Sequence, residues 1–181
     1  MTARISPVAP PFAPEIKAAL ERIMPPGVPP LVLFTTLARN ARVFQRFMAG
    51  GLLDKGSIGL REREIMIDRT TARCGSEYEW GVHVAFFAEK AQLTAAQVEA
   101  TTTADASAQV WSTRDRLIVR LADELHETHT VSDALWAELA GAFEDEQILE
   151  LIVLAGFYHT VSYLTNALRL PLEGFGARFP G

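Results

Sequence analysis

The chain has 181 residues, 49% of them hydrophobic and 22% charged, with a net charge of −5. That length suits one domain with a substantial core, and the composition is that of an ordinary globular protein. The acidic balance argues against a nucleic-acid surface, and a lone cysteine, Cys74, excludes an intramolecular disulfide, as expected of a reducing cytoplasm.

The first residues, through Pro14, contain no apolar run of signal-peptide type and are broken by Pro7, Pro10 and Pro11. They predict an extended arm, followed by a short helix over residues 14–24 with Ile16, Leu20 and Ile23 at helical spacing. Residues 25–30, PPGVPP, form a stiff connector. The arm and its helix (1–29) are therefore expected to precede one domain (30–181). A second helix carries Leu31, Phe34 and Leu37, and Asn40 is placed to cap a third with Val43, Phe44 and Phe47. Gly50, Gly51 and Gly56 loosen the chain.

A helix over 60–73 shows Ile65, Met66 and Ile67 on its apolar side, and Gly75 ends it. Ser76 and Glu79 match a capping box opening a helix to about residue 91, and Thr94 with Gln97 repeats the pattern. Ser112 and Ser132 are further N-caps. The apolar run 148–170 is interrupted by Glu150, His159 and Asn166, so it reads as a bundle helix, with no membrane partner, closed by Pro171. The expectation is an all-α fold of about eight helices. Laying Glu64 over Gln147, an offset of 83 residues, brings His83 over Asn166, which either chance or a duplicated helical hairpin explains.

Chemistry concentrates in 60–90. Glu79 and His83 are four apart and share a helix face. A carboxylate beside an imidazole fixes its tautomer and raises its pKa, which readies it as a general acid or base. Blander readings stand beside this one. Glu64 can be a solvated charge in RERE, Glu79 a capping residue, His83 a core histidine, and Trp80, Phe86 and Phe87 core.

The segments LREREI (60–65) and GSEYEWGVH (75–83) resemble the core signature of the carboxymuconolactone decarboxylase/alkyl hydroperoxidase D-like (AhpD-like) superfamily. The resemblance extends through Leu37-Ala38-Arg39-Asn40 and spans residues 30–170. It implies an AhpD-like bundle, a homo-oligomer (trimer or hexamer), a small-molecule substrate and no cofactor. In the peroxidase branch a Glu precedes Cys-x-x-Cys, with a His four residues after the second Cys. Carried over, the Glu falls at Glu64 and the His at His83, but the cysteines fall at Ser76 and Glu79. Disulfide cycling needs one thiol to attack and another to resolve, so that route is closed.

The resemblance therefore implies a cofactor-free acid–base enzyme acting on a small carboxylated lactone or unsaturated acid. His83 would donate the proton, Glu79 orient it and Glu64 carry a second proton. Tyr78, Trp80, Arg39 and Arg42, with Arg61, are the expected substrate contacts. Two alternatives remain. One is a thiol-dependent hydroperoxidase using Cys74, near a helix start that lowers its pKa. The other is a non-catalytic helical oligomer that binds a small molecule. His126 and His129 are three apart, not the four of a zinc-protease helix, and read as surface residues at a helix end. His159 is expected to be buried, facing the same cavity or an oligomer contact. No metal-ligand set is expected.

Overall fold

A computed structural model describes residues 3–103 and 109–180, and among these it contains nine α-helices and no strand. They are α1 (Pro14–Ile23), α2 (Val32–Leu37), α3 (Ala41–Ala49), α4 (Leu60–Arg73), α5 (Glu77–Phe87), α6 (Ala95–Ala100), α7 (Thr113–Thr128), α8 (Asp133–Ala140) and α9 (Asp145–Ala167). Local chemistry sets most boundaries. Asn40, Thr94, Ser112 and Ser132 each accept a backbone N–H of the first turn, satisfying donors that a helix start leaves free. Gly75 follows α4 at φ +62°, the left-handed conformation that lets the chain turn directly into α5.

Ser76 departs from its expected role. It stands at the N-cap of α5 but forms no side-chain cap; its hydroxyl pairs instead with Thr165 on α9, 2.8 Å away. Glu79 is thereby released from the expected capping box.

The helix α4 lies at the centre, packed against α5, α7 and α9. Every residue from Glu64 to Thr71 is buried, so its polar side is enclosed as fully as Ile65, Met66 and Ile67. Buried polar groups need partners. Arg69 finds them in both carboxylate oxygens of Asp123 (2.8 and 2.9 Å) and the Thr101 carbonyl (3.0 Å).

Helix α9 runs unbroken for 23 residues through the positions where a duplicated hairpin would turn, so no second hairpin exists at that offset. It is long and apolar enough to cross a membrane. Here Leu151, Leu154, Ala155, Tyr158 and Val161 pack into the core, while Leu149, Val153 and Tyr163 are exposed.

The described parts of both terminal segments, from residue 3 and up to residue 180, are laid on this bundle. In the arm, Val8 N–H donates to Thr35 O (3.0 Å), and Arg39 donates to Ser6 O (2.8 Å). Ile16 and Leu20 of α1 join the common core. The C-terminal tail crosses α5 at Gly81, where Ala177 N–H donates to Gly81 O at 2.9 Å. A Cβ on Gly81 would lie 2.3 Å from the Ala177 carbonyl oxygen, so this approach requires glycine.

Candidate active site

The packing of α4, α5 and α9 buries one continuous polar chain. His83 on α5 is 4% exposed and Glu64 on α4 is wholly buried. His83 Nδ1 lies 2.8 Å from Glu64 Oε2, and Arg63 Nε donates to Glu64 Oε1 at 2.8 Å. On its other side, His83 Nε2 lies 2.9 Å from the Tyr158 hydroxyl of α9 and 3.4 Å from Glu79 Oε1. The second oxygen of Glu79 is buried without a partner.

Burial disfavours charge on His83, but the Glu64 carboxylate and hydrogen bonds to Glu64 and Glu79 outweigh it and push its pKa up to about 10. At neutral pH the ring is an imidazolium. Nδ1–H then donates to Glu64, and Nε2–H donates to Tyr158. Burial, together with the negative charges of Glu79 and Glu64, holds the Tyr158 hydroxyl well above the ordinary tyrosine pKa, so it keeps its proton. Since Tyr158 accepts from His83, its own O–H is left for another acceptor.

His83, Glu79 and Tyr158 line a cavity of about 580 Å³, while Glu64 stands behind the imidazole. Apolar side chains dominate its wall, among them Leu31, Phe34, Met48, Phe86, Phe87 and Phe157. Besides His83, Arg22 and Lys90 are the cationic side chains in the lining. A wall of this composition lowers the local dielectric and strengthens each polar contact made within it.

The expected trio of Glu64, Glu79 and His83 is therefore assembled, whereas the expected substrate contacts lie elsewhere. Tyr78 is buried, accepts from Leu33 N–H (3.1 Å) and donates to Glu173, tying the tail to α2. Trp80 donates to Thr101 (2.8 Å) and packs against Phe179 with the rings tilted at 54°. Arg39 holds the N-terminal arm, Arg42 is exposed, and Arg61 pairs with Asp115 (2.9 Å). None of the five lines the cavity.

The sequence reading missed Tyr158, Arg63 and Asp68. Tyr158 sits beside His159 in a long apolar helix, with no motif to distinguish it. Asp68, one turn beyond Glu64, is 1% exposed with both oxygens unpartnered. Burial and the nearby Glu64 raise its pKa well above the ordinary value, although His83 acts in the opposite direction.

Cys74 caps the C-terminal end of α4 and is half-buried. The expected lowering by a helix start is absent: burial raises its pKa, opposed by the hydroxyl of Ser162 and the charge of Arg73. His126 is half-buried against His159 rather than on the surface, while His129 is exposed in the left-handed conformation after α7. His159 is half-buried and turned away from the cavity, towards Cys74 and His126.

The described residues form an all-helical bundle that encloses a Glu64–His83–Tyr158 chain beside an apolar cavity. Solved structures share this architecture. A peroxidase-related protein from Silicibacter sp. TM1040 superposes with a TM-score of 0.80 at 17% identity, over 95% of this chain and 92% of its own. A peroxidase-related protein from Ralstonia eutropha JMP134, described as an alkylhydroperoxidase AhpD core, matches at 0.74 and 19% identity, over 96% and 95%. The debrominase Bmp8 matches at 0.76 and 14% identity, over 97% and 95%. No family model and no curated protein matches the sequence. The chain has the AhpD-like fold.

Proposed function

We propose that this protein is a cofactor-free acid–base enzyme whose substrate is a small, largely apolar unsaturated acid or carboxylated lactone, which it decarboxylates. One observation carries the reading: the His83 imidazole, the Tyr158 hydroxyl and an unpartnered Glu79 carboxylate oxygen belong to one wall of an apolar cavity. Loss of CO2 breaks a carbon–carbon bond and leaves its electron pair delocalised onto a carbonyl oxygen as a dienolate. The Tyr158 O–H and the His83 charge behind it stabilise that oxygen. A proton then passes to carbon from Tyr158, which recovers one from His83 Nε2, and the Glu79 carboxylate relays the replacement from solvent.

Glu64 and Arg63 act as positioning residues, fixing the imidazole through Nδ1. Lys90 and Arg22, as the other cations of the lining, are the partners for the substrate carboxylate before CO2 leaves. The fold supports a ligand of this size: a variant of Bmp8 is known in complex with 2,3,4-tribromopyrrole, another small ring. A thiol-peroxidase reading is weakened by the half-buried Cys74, whose thiol is held protonated and has no second cysteine to resolve it.

The test is a panel of small unsaturated acids and carboxylated lactones incubated in D2O, with CO2 release and carbon deuteration followed by NMR. Turnover should fall at least a hundredfold in His83→Gln and Tyr158→Phe and persist in Cys74→Ser. Activity that survives both site substitutions and disappears with Cys74→Ser would assign the chemistry to sulfur instead.

A further inference from the structure

At the far end of α4, ten residues beyond Glu64 and so about 15 Å along the helix axis, three metal-ligating atoms converge. Cys74 Sγ, His126 and His159 each present one donor, all within 4.8 Å of one another and each half-buried. They come from the C-cap of α4 and from α7 and α9, so the cluster joins three packed helices, and none of the three lines the cavity. We propose that Cys74, His126 and His159 form a transition-metal site, with Zn2+ as its preferred occupant.

The geometry fits a tetrahedral ion. Bonds of about 2.0 Å to nitrogen and about 2.3 Å to sulfur place two nitrogens about 3.3 Å apart, and nitrogen and sulfur about 3.5 Å apart. Here His126 Nδ1 lies 3.2 Å from His159 Nε2 and 3.8 Å from Cys74 Sγ. The tautomers fit as well. His159 Nδ1–H donates to the Ala155 carbonyl at 2.9 Å, the outer-sphere bond that usually orients a ligating imidazole, and this leaves the Nε2 lone pair facing the cluster.

No single protonation of His126 Nδ1 makes strong hydrogen bonds to both neighbours. If His126 Nδ1 carries hydrogen, it can donate to His159 Nε2 but cannot accept from the thiol. If Nδ1 is bare, it can accept from the thiol but then opposes the His159 lone pair. A cation resolves both contacts at once. Ser162 on α9 is wholly buried, and its hydroxyl has no oxygen or nitrogen partner. A metal-bound thiolate would accept that hydrogen. Arg73, the cation next in sequence to Cys74, pairs with Asp123 (3.4 Å) and Glu127, which offsets its repulsion of the ion.

Two imidazoles and a thiolate select a borderline or soft metal over Mg2+ or Ca2+, and three protein ligands leave the fourth position for water. Zn2+ binding to the full-length reduced protein, measured by competition with a chromophoric chelator, should show one ion per chain. Affinity should fall at least tenfold in Cys74→Ser and in His159→Ala, and stay unchanged in His129→Ala and His83→Gln. Co2+ should give thiolate charge-transfer absorption in the wild type, lost in Cys74→Ser. Circular dichroism confirms that each variant is folded, and the half-buried positions of all three ligands make these substitutions tolerable. Wild-type protein that takes up no stoichiometric Zn2+, or a folded Cys74→Ser/His159→Ala variant that binds it as tightly as wild type, overturns the assignment. The His83→Gln control keeps this result separate from the fate of the proposed enzymatic activity.

Discussion

Glu64 Oε2 lies 2.8 Å from His83 Nδ1 although nineteen residues separate them, and Arg63 holds the other oxygen of the same carboxylate at 2.8 Å. One buried anion thus serves a cation on each side. Glu64→Gln keeps the shape and removes the charge, leaving Arg63 and His83 without their shared counter-ion. Breaking such a buried pair from one side costs about 3 kcal/mol. Urea unfolding at pH 7 should register that loss, and the His83 pKa, followed by NMR, should drop towards the ordinary value. An unchanged His83 titration in the Gln variant would show that Glu64 does not control the ring.

The raised His83 pKa also sets a pH dependence for stability. An ordinary imidazole titrates near 6.5, whereas the folded protein holds its proton up to about 10. The folded state therefore binds the proton more tightly than the unfolded chain. Its stabilising contribution is complete below pH 6.5 and is lost as pH rises through 10. Thermal unfolding of the wild type should weaken across that interval more steeply than that of His83→Gln. Parallel curves for the two proteins would count against the assigned charge state.

Asp68 predicts the opposite response to substitution. Its carboxyl is buried without a hydrogen-bond partner and its pKa is raised, so the folded state binds this proton more tightly than the unfolded chain and loses stability as pH rises above the ordinary carboxyl value. Asp68→Asn preserves size and cannot ionise. The variant should gain stability relative to wild type as pH climbs above about 4, the ordinary carboxyl value. Chemical denaturation at three pH values measures this, and a variant less stable than wild type throughout would give Asp68 a stabilising role.

How much of this was legible in the sequence follows from the range of each interaction. Caps act within three residues, so Asn40, Thr94, Ser112 and Ser132 announced their helices. Glu79 and His83 were paired by helical spacing, and Glu64 joined them through the superfamily resemblance. Tyr158 reaches His83 across 75 residues, and the Cys74–His126 contact spans 52, distances over which no local pattern carries information. Ser76 shows the converse failure. Its capping signal is genuine, but Thr165, 89 residues away, competes for the same hydroxyl and wins it. The arginines failed as substrate contacts for a related reason: charge is visible in a sequence, but whether a guanidinium is already engaged by Ser6 O or Asp115 is decided by tertiary packing.

The C-terminal tail offers a test that joins stability to the cavity. It rests on α5 where Gly81 permits backbone contact, and from there Phe175 packs on Phe86, with ring centroids 4.9 Å apart, and Phe179 on Trp80. Phe86 also lines the cavity, so the tail braces that wall from behind. Gly81→Ala places a methyl against the Ala177 carbonyl oxygen, a backbone atom that cannot rotate aside, and the tail must lift. Overpacking of this kind costs about 1–3 kcal/mol. Limited trypsin digestion should then cut after Arg178 faster than in the wild type, with the released fragment identified by mass spectrometry. Because α5 itself tolerates alanine, its helicity by circular dichroism should hold while the affinity of any cavity ligand weakens. A Gly81→Ala protein with wild-type digestion and binding would mean that the tail does not brace the cavity wall.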